Sequence, residues 1–173
     1  MEPLETITLE SGHRIEIHHD LDPESPRTWD NLGTFQVYHR RYASPDPIER
    51  DPPVIKPDEI GLKVWGYDHG GIVYATGDKN PFSCPWDSGF AGIIYVSRKK
   101  ARTWLGTGRL TKKHEAKVRE ILEHEVSIYN EWANGEVYGF KVFDPEGEEI
   151  DACWGFYGSD RDYMIQQAKE AIE

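Results

Sequence analysis

The chain has 173 residues, 38% of them hydrophobic, with a formal net charge of −11 and two cysteines, which is enough for one sizeable core and short for two. No run approaches the roughly 18 apolar residues of a membrane span, and "MEPLETITLE" lacks the cationic start and apolar stretch of a secretory signal, so the reading is one soluble intracellular domain over residues 1–173. Cys84 and Cys153 stand 69 residues apart and match no metal-ligand spacing, so two thiols are expected in a reducing compartment and neither a metal nor a cofactor is assigned.

"ETITLESGHRIEIHHD" alternates apolar and polar residues on both sides of Ser11-Gly12, setting Ile7 and Leu9 to face Ile15 and Ile17, and predicts a first hairpin. Residues 20–32 are turn-rich, and "TFQVYHRRY" predicts a third strand. Ser44 to Pro57 holds five prolines. Each lacks an amide donor and restricts its predecessor, so the stretch predicts a long surface excursion. "LKVWGYDHGGIVYAT" reads as a hairpin turning at Asp68-His69-Gly70-Gly71, and "GIIYVS" as the strand that follows. Ser97 is placed to cap a short helix running to Leu105. Over residues 112–134, Val118, Ile121, Leu122, Val126, Tyr129 and Trp132 recur three or four apart, predicting the longest amphipathic helix, stopped by Asn134-Gly135. "EVYGFKVFDPEGEEIDACWGFYG" predicts a hairpin, and Ser159 or Asp160 is placed to cap a last helix with a stripe of Met164, Ala168 and Ile172. About seven strands, one long helix and one or two shorter ones argue an α+β class with a mainly antiparallel sheet.

"PFSCPWDSGFAG", residues 81–92, sets Cys84, Trp86 and Asp87 in a proline-bounded loop downstream of His69. Cys84, His69 and Asp87 are the residue types of a thiol hydrolase: nucleophile, base and orienting acid. Against that, no cysteine-peptidase signature surrounds Cys84, and Pro85 removes an amide that often serves an oxyanion hole. In a purely structural loop, Ser83, Ser88 and Asp87 would tie down loop amides, Trp86 would plug the core and Gly89 would supply a left-handed turn. No catalytic residue is assigned. If a pocket exists, it would join the Asp30-Asn31 loop, the Asp68-His69 turn and the loop holding Cys84, Trp86 and Asp87.

Other constellations carry less. Asp20, Asp22, Glu24 and Asp30 are hard oxygen ligands, but no EF-hand glycine or closing glutamate accompanies them, and adjacent His18 and His19 on a strand point to opposite faces. Arg40 and Arg41 in "VYHRRY" suit a phosphate or carboxylate, or serve as counter-charges to Asp30 or Asp68. Trp132 and Trp154 lie in periodic segments and are expected in the core, while Trp29 and Trp86 lie in loops and are the candidates for an exposed role.

Charge is segregated along the chain: residues 1–60 sum to −7, 61–111 to +4, 112–143 to −1 and 144–173 to −7. Residues 98–113 contain seven Lys/Arg and no acid, a pattern suited to phosphate neutralisation with stacking on Trp104, although the chain as a whole repels DNA. Glu146, Glu148, Glu149 and Asp151 crowd one hairpin turn, where like charges cost the fold and so suggest an outside use. These four are the partner-binding candidates, with a host protein or nucleoprotein complex favoured over direct nucleic-acid binding, and with no membrane contact expected.

Taken together, "RTWDNLGTF…HRRY", "YDHGGI", "PFSCPWDSGFAGIIYVS", "NGEVYGF" and "CWGFYG" make the chain similar, over nearly its whole length, to a family of small tailed-bacteriophage proteins without an assigned enzymatic activity. The resemblance implies expression in the cytoplasm of an infected bacterium. There, small accessory proteins often disable a host defence, such as a CRISPR effector or nuclease, or redirect a host enzyme.

Overall fold

The first predicted hairpin forms as β1 (Glu5–Thr8) and β2 (Arg14–His19) in the computed structural model, which describes residues 2–172. Ile7 pairs with Ile15 across it, and Gly12 takes the turn at φ +86°. In chain order there follow β3 (Thr34–Val37), β4 (Glu59–Asp68), β5 (Ile72–Thr76), β6 (Ser88–Ser97), α1 (Arg98–Trp104), α2 (Lys112–Ala133), β7 (Val137–Phe143), β8 (Glu149–Tyr157) and α3 (Arg161–Glu170). The protein is α+β, and the eight strands among the described residues form two four-stranded antiparallel sheets. Backbone contacts divide the chain into two compact units, one made of residues up to 24 with those from 131 on, the other of residues 25–130. No helix among the described residues is long and apolar enough to cross a membrane.

The sheet of the first unit runs β1-β2-β7-β8. Ile15 and Ile17 of β2 stand opposite Val142 and Phe140 of β7, and these four bury themselves with Met164 and Ala168 of α3. Burying an aliphatic side chain of this size stabilises by about 1.5–3 kcal/mol, so the predicted α3 stripe is what holds the helix to the sheet. Its predicted cap differs. A 3-10 turn over residues 158–160 precedes α3, Asp160 makes no side-chain capping bond, and the Ser159 hydroxyl donates to Glu131 instead. β8 is an edge strand exposed along most of its length. Trp154, expected in the core, is therefore 44% exposed. It lies across Gly139, where a Cβ would stand 2.2 Å from the indole. Trp132 is half-buried and donates its indole N–H to the Pro23 carbonyl at 3.1 Å.

In the second unit the sheet runs β3-β6-β4-β5. Val118, Leu122, Val126 and Tyr129 of α2 are buried, with Leu122 against Gly33 and Ile94 and the Tyr129 ring edge-on to Phe35 at 5.4 Å. Glu125 of α2 organises the entry to β3: its carboxylate accepts the N–H groups of Leu32 and Gly33 and a bond from Arg27, whose side chain is 6% exposed. Burial opposes the Arg27 charge, but hydrogen bonds to Asp46 and Glu125 outweigh it and raise the guanidinium above its ordinary value. The predicted third strand is shorter than its sequence pattern, because the chain leaves β6 after a last bond from Tyr38 N–H to Ala91 O at 2.8 Å. The outer edge of β3 is then taken up by residues 44–46: Ser44 Oγ accepts from Val37 N–H, and Asp46 N–H donates to Phe35 O at 2.9 Å. The proline-rich excursion is thus a strap. It is fastened by Gln36 Nε2 to Pro47 O at 2.7 Å, by Arg50 over the Tyr95 ring at 3.8 Å and by paired Arg50–Glu59 bonds of 2.8 Å.

Candidate functional site

Antiparallel pairing of β3 with β6 sets Val37 opposite Gly92, so residues after Val37 run alongside those before Gly92. The two segments stay joined through Tyr38 N–H to Ala91 O at 2.8 Å and then part, leaving a cleft of about 300 Å³, lined by His39 and Arg41 on one side and by Trp86 to Ala91 on the other, with Gly66 and Asp68 of β4 between. Two of the three predicted loops meet here: Asp68 N–H donates to Asp87 O at 2.9 Å. The third does not. Asp30 is exposed elsewhere, and Asn31 is spent locally, donating to the Pro26 and Trp29 carbonyls while its own carbonyl accepts from Lys100. Its place is taken by the "HRRY" segment. Arg41 forms an ion pair with Asp68, and Tyr42 donates to the same carboxylate at 3.0 Å, so Arg41 is the internal counter-charge to Asp68 that the sequence offered as one alternative. The hydrogen bond to Asp68 raises the Tyr42 phenol above its ordinary value.

Around Cys84 the geometry is that of a braced turn. The Cys84 thiol donates to Asp87 Oδ2 at 3.5 Å, and His69 Nδ1 stands 3.4 Å from the same oxygen. Thiol and imidazole are therefore both turned on one carboxylate, and a base must reach the proton it takes. The Ser88 hydroxyl donates to the Cys84 carbonyl and accepts from Asn80, whose side-chain oxygen in turn accepts from Phe82 N–H. Of the two alternatives for Trp86, core plug or exposed loop residue, the second holds: it is 92% exposed. One expectation for this loop is corrected, since Gly89 is not left-handed but part of β6. Deeper in, the buried Tyr74 hydroxyl has no hydrogen-bond partner among the described residues, and burial is the first cause that pushes it well above its ordinary value.

The other predicted residues lie apart from this cleft. Glu146, Glu148, Glu149 and Asp151 are all exposed on the β7–β8 turn and the start of β8. Asp144 closes the turn, accepting from Glu148 N–H at 2.8 Å, and Gly147 takes φ +93°. Of the four acids, Glu149 alone forms an ion pair among the described residues, with Lys141 at 2.6 Å. His18 and His19 do lie on opposite faces of β2: His18 is buried beside Glu16, and His19 reaches the Gly135 carbonyl. Asp20 accepts from Asp22 N–H as a loop-bracing aspartate. The described residues bring no three His, Cys, Asp or Glu side chains together in a metal-binding arrangement.

What the sequence did not announce is the cleft wall made by His39, Arg41 and Phe90, because it depends on where β3 stops. The usable signal was Ser44, whose hydroxyl replaces a strand partner for Val37. No protein-family model, curated protein or solved structure matches this chain.

Proposed function

We propose that this chain is a non-catalytic binding protein of a tailed bacteriophage that presents carboxylates to a basic surface on a host protein or nucleoprotein complex, and so inhibits or redirects it. An anti-defence role such as blocking a CRISPR effector fits that chemistry, since carboxylates compete with phosphate for the same Lys/Arg groove. The observation that carries the reading is the division of charge between the units. Residues up to 24 and from 131 on hold eighteen Asp/Glu against four Lys/Arg, a net charge of −14 in 67 residues. The exposed acids of the β7–β8 turn, three of them without an ion-pair partner among the described residues, are its most concentrated part. The shared carboxylate at Cys84 and His69 speaks against the hydrolase alternative.

The test compares the tagged wild-type chain with the variant E146Q/E148Q/E149Q/D151N in capture from lysate of a susceptible bacterium, at about 50 and about 300 mM salt. The expected result is a partner held at low salt, released at high salt and lost by the variant. Retention by the variant, with loss when Lys99, Lys100 and Arg102 are replaced, overturns the acidic-face reading. Loss of biological effect in Cys84→Ser together with rapid alkylation of Cys84 near neutral pH would move the assignment to an enzyme.

A further inference from the structure

The unit of residues 25–130 has the opposite charge balance to the rest, with sixteen Lys/Arg against thirteen Asp/Glu for a net +3. Its excess collects at one corner, formed by α1, the connection of residues 105–111 and the first turn of α2. Lys99, Arg102, Arg109, Lys112 and Lys113 are all exposed there, and none has an ion-pair partner among the described residues. Their neighbours are used differently. Arg98 is paired with Glu115 at 2.6 Å, tying the start of α1 to the first turn of α2, and Lys100 donates to the Asn31 carbonyl at 2.6 Å.

The backbone beneath these charges is held firmly. Ser97 Oγ caps α1 by accepting from Lys100 N–H at 3.1 Å, and Gly106 at φ +61° lets Thr107 N–H return to Arg102 O at 3.0 Å. Thr107 Oγ1 donates to Arg109 O at 3.1 Å, and Thr111 and His114 exchange reciprocal bonds of 3.3 Å at the start of α2. The corner thus holds the backbone under five exposed like charges and pairs none of them among the described residues, an arrangement that costs the fold and suits a polyanion. Trp104, in the last turn of α1, is 41% exposed within the same segment. An exposed indole in a cationic segment offers a surface that an unstacked base can use, whereas the bases of an intact duplex are already stacked.

We propose that this corner binds single-stranded nucleic acid, with Lys99, Arg102, Arg109, Lys112 and Lys113 on the phosphates and Trp104 stacked on a base. The inference is independent of the acidic-face reading, since it uses other residues and the opposite sign of charge.

The test is fluorescence anisotropy with a labelled oligodeoxythymidine of about twenty nucleotides, titrated with the full chain across a salt series. Binding is expected at low salt with a log–log salt slope near −3.5, from five phosphate contacts on a single strand at about −0.7 each. K99A/R102A/R109A is expected to weaken binding at least about tenfold and flatten the slope by about two. R102K/R109K should bind nearly as wild type, separating loss of charge from loss of fold, and unchanged thermal melting checks the fold of each variant. Trp104→Ala should lower affinity severalfold at unchanged slope, and E146Q/E148Q/E149Q/D151N should leave this binding intact. Absence of binding at about 20 mM salt with about 100 μM protein overturns the proposal. So does binding that the triple variant retains, or tighter capture of the chain by phosphatidylglycerol vesicles than by the oligonucleotide. Equal affinity for a duplex together with an inert Trp104→Ala overturns the single-strand assignment.

Discussion

The Glu125 carboxylate accepts from the Leu32 and Gly33 amides and from Arg27, a guanidinium that also holds the Gly33 carbonyl and Asp46. Removing the acid leaves a buried cation and two amides short of their partner at once, which is the costly way to break a buried pair. Glu125→Ala is therefore expected to lower the unfolding free energy by on the order of 3 kcal/mol in urea titration. Glu125→Gln, which keeps one acceptor, should recover part of it, and an effect below about 0.5 kcal/mol for the alanine variant would show that the network is surface ornament. The network also explains part of what could be read in advance. "RTWDNLGTF" could be recognised as a motif, but its arginine is a structural hub rather than a functional group. Its acid partners, Asp46 and Glu125, stand 19 and 98 residues away in sequence, where no local pattern points to them. Trp86 was more legible: its place in a loop marked it as a candidate for an exposed role against the alternative of a core plug, and it is 92% exposed.

Elements with a strong local period were legible: the 3.6-residue stripe of α2, the alternation of β1 and β2, and the Asp68–Gly71 turn all lie where the pattern placed them. The division of the strands between two sheets was not, because it rests on which edges pair at long range and not on any strand's own pattern. The strap of residues 44–57 is the clearest case. Five prolines announced that it could be neither helix nor central strand, yet its role in covering Gln36 and Tyr95 follows only from Pro47, Glu49 and Arg50 meeting them. Its anchor carries a pH signature. The hydrogen bond from Arg50 holds the Glu59 carboxyl below its ordinary value, helped by the Lys56 amide. A lowered folded-state value means that this contribution is fully present above the unfolded glutamate value of about 4.3 and is lost as pH falls through the folded one. Glu59→Gln should thus be less stable than wild type at neutral pH, with the difference shrinking only as pH drops below about 4.3. Urea midpoints measured from pH 7 downward test this. A difference that stays constant to the acid limit would show that Glu59 acts by packing alone.

At the scale of the whole molecule, the net charge of −11 conceals a −14 unit and a +3 unit, which averaging over sequence windows revealed only in outline because residues 1–24 and 131–173 fold together from opposite ends of the chain. Eighteen acids on 67 residues repel one another, and the ion pairs seen among the unit's described residues include Arg14–Glu16, Lys141–Glu149, Arg161–Glu5 and the pairing of Glu16 with His18. Repulsion between exposed charges is screened over about 10 Å at 0.1 M salt, so added salt should relieve the acidic unit more than it weakens its exposed pairs, each worth on the order of 0.5 kcal/mol. The expected outcome is a melting temperature that rises between about 20 and about 500 mM sodium chloride. In E146Q/E148Q/E149Q/D151N the rise should be smaller and the low-salt melting temperature equal to wild type or higher, since the loss of Lys141–Glu149 is offset by four fewer like charges on one turn. A variant that melts earlier at low salt would mean that those carboxylates serve the fold, and would remove the ground for reading them as a surface kept for a partner. A variant that melts later while losing its salt-sensitive partner would show the opposite: stability given up at the β7–β8 turn in return for binding.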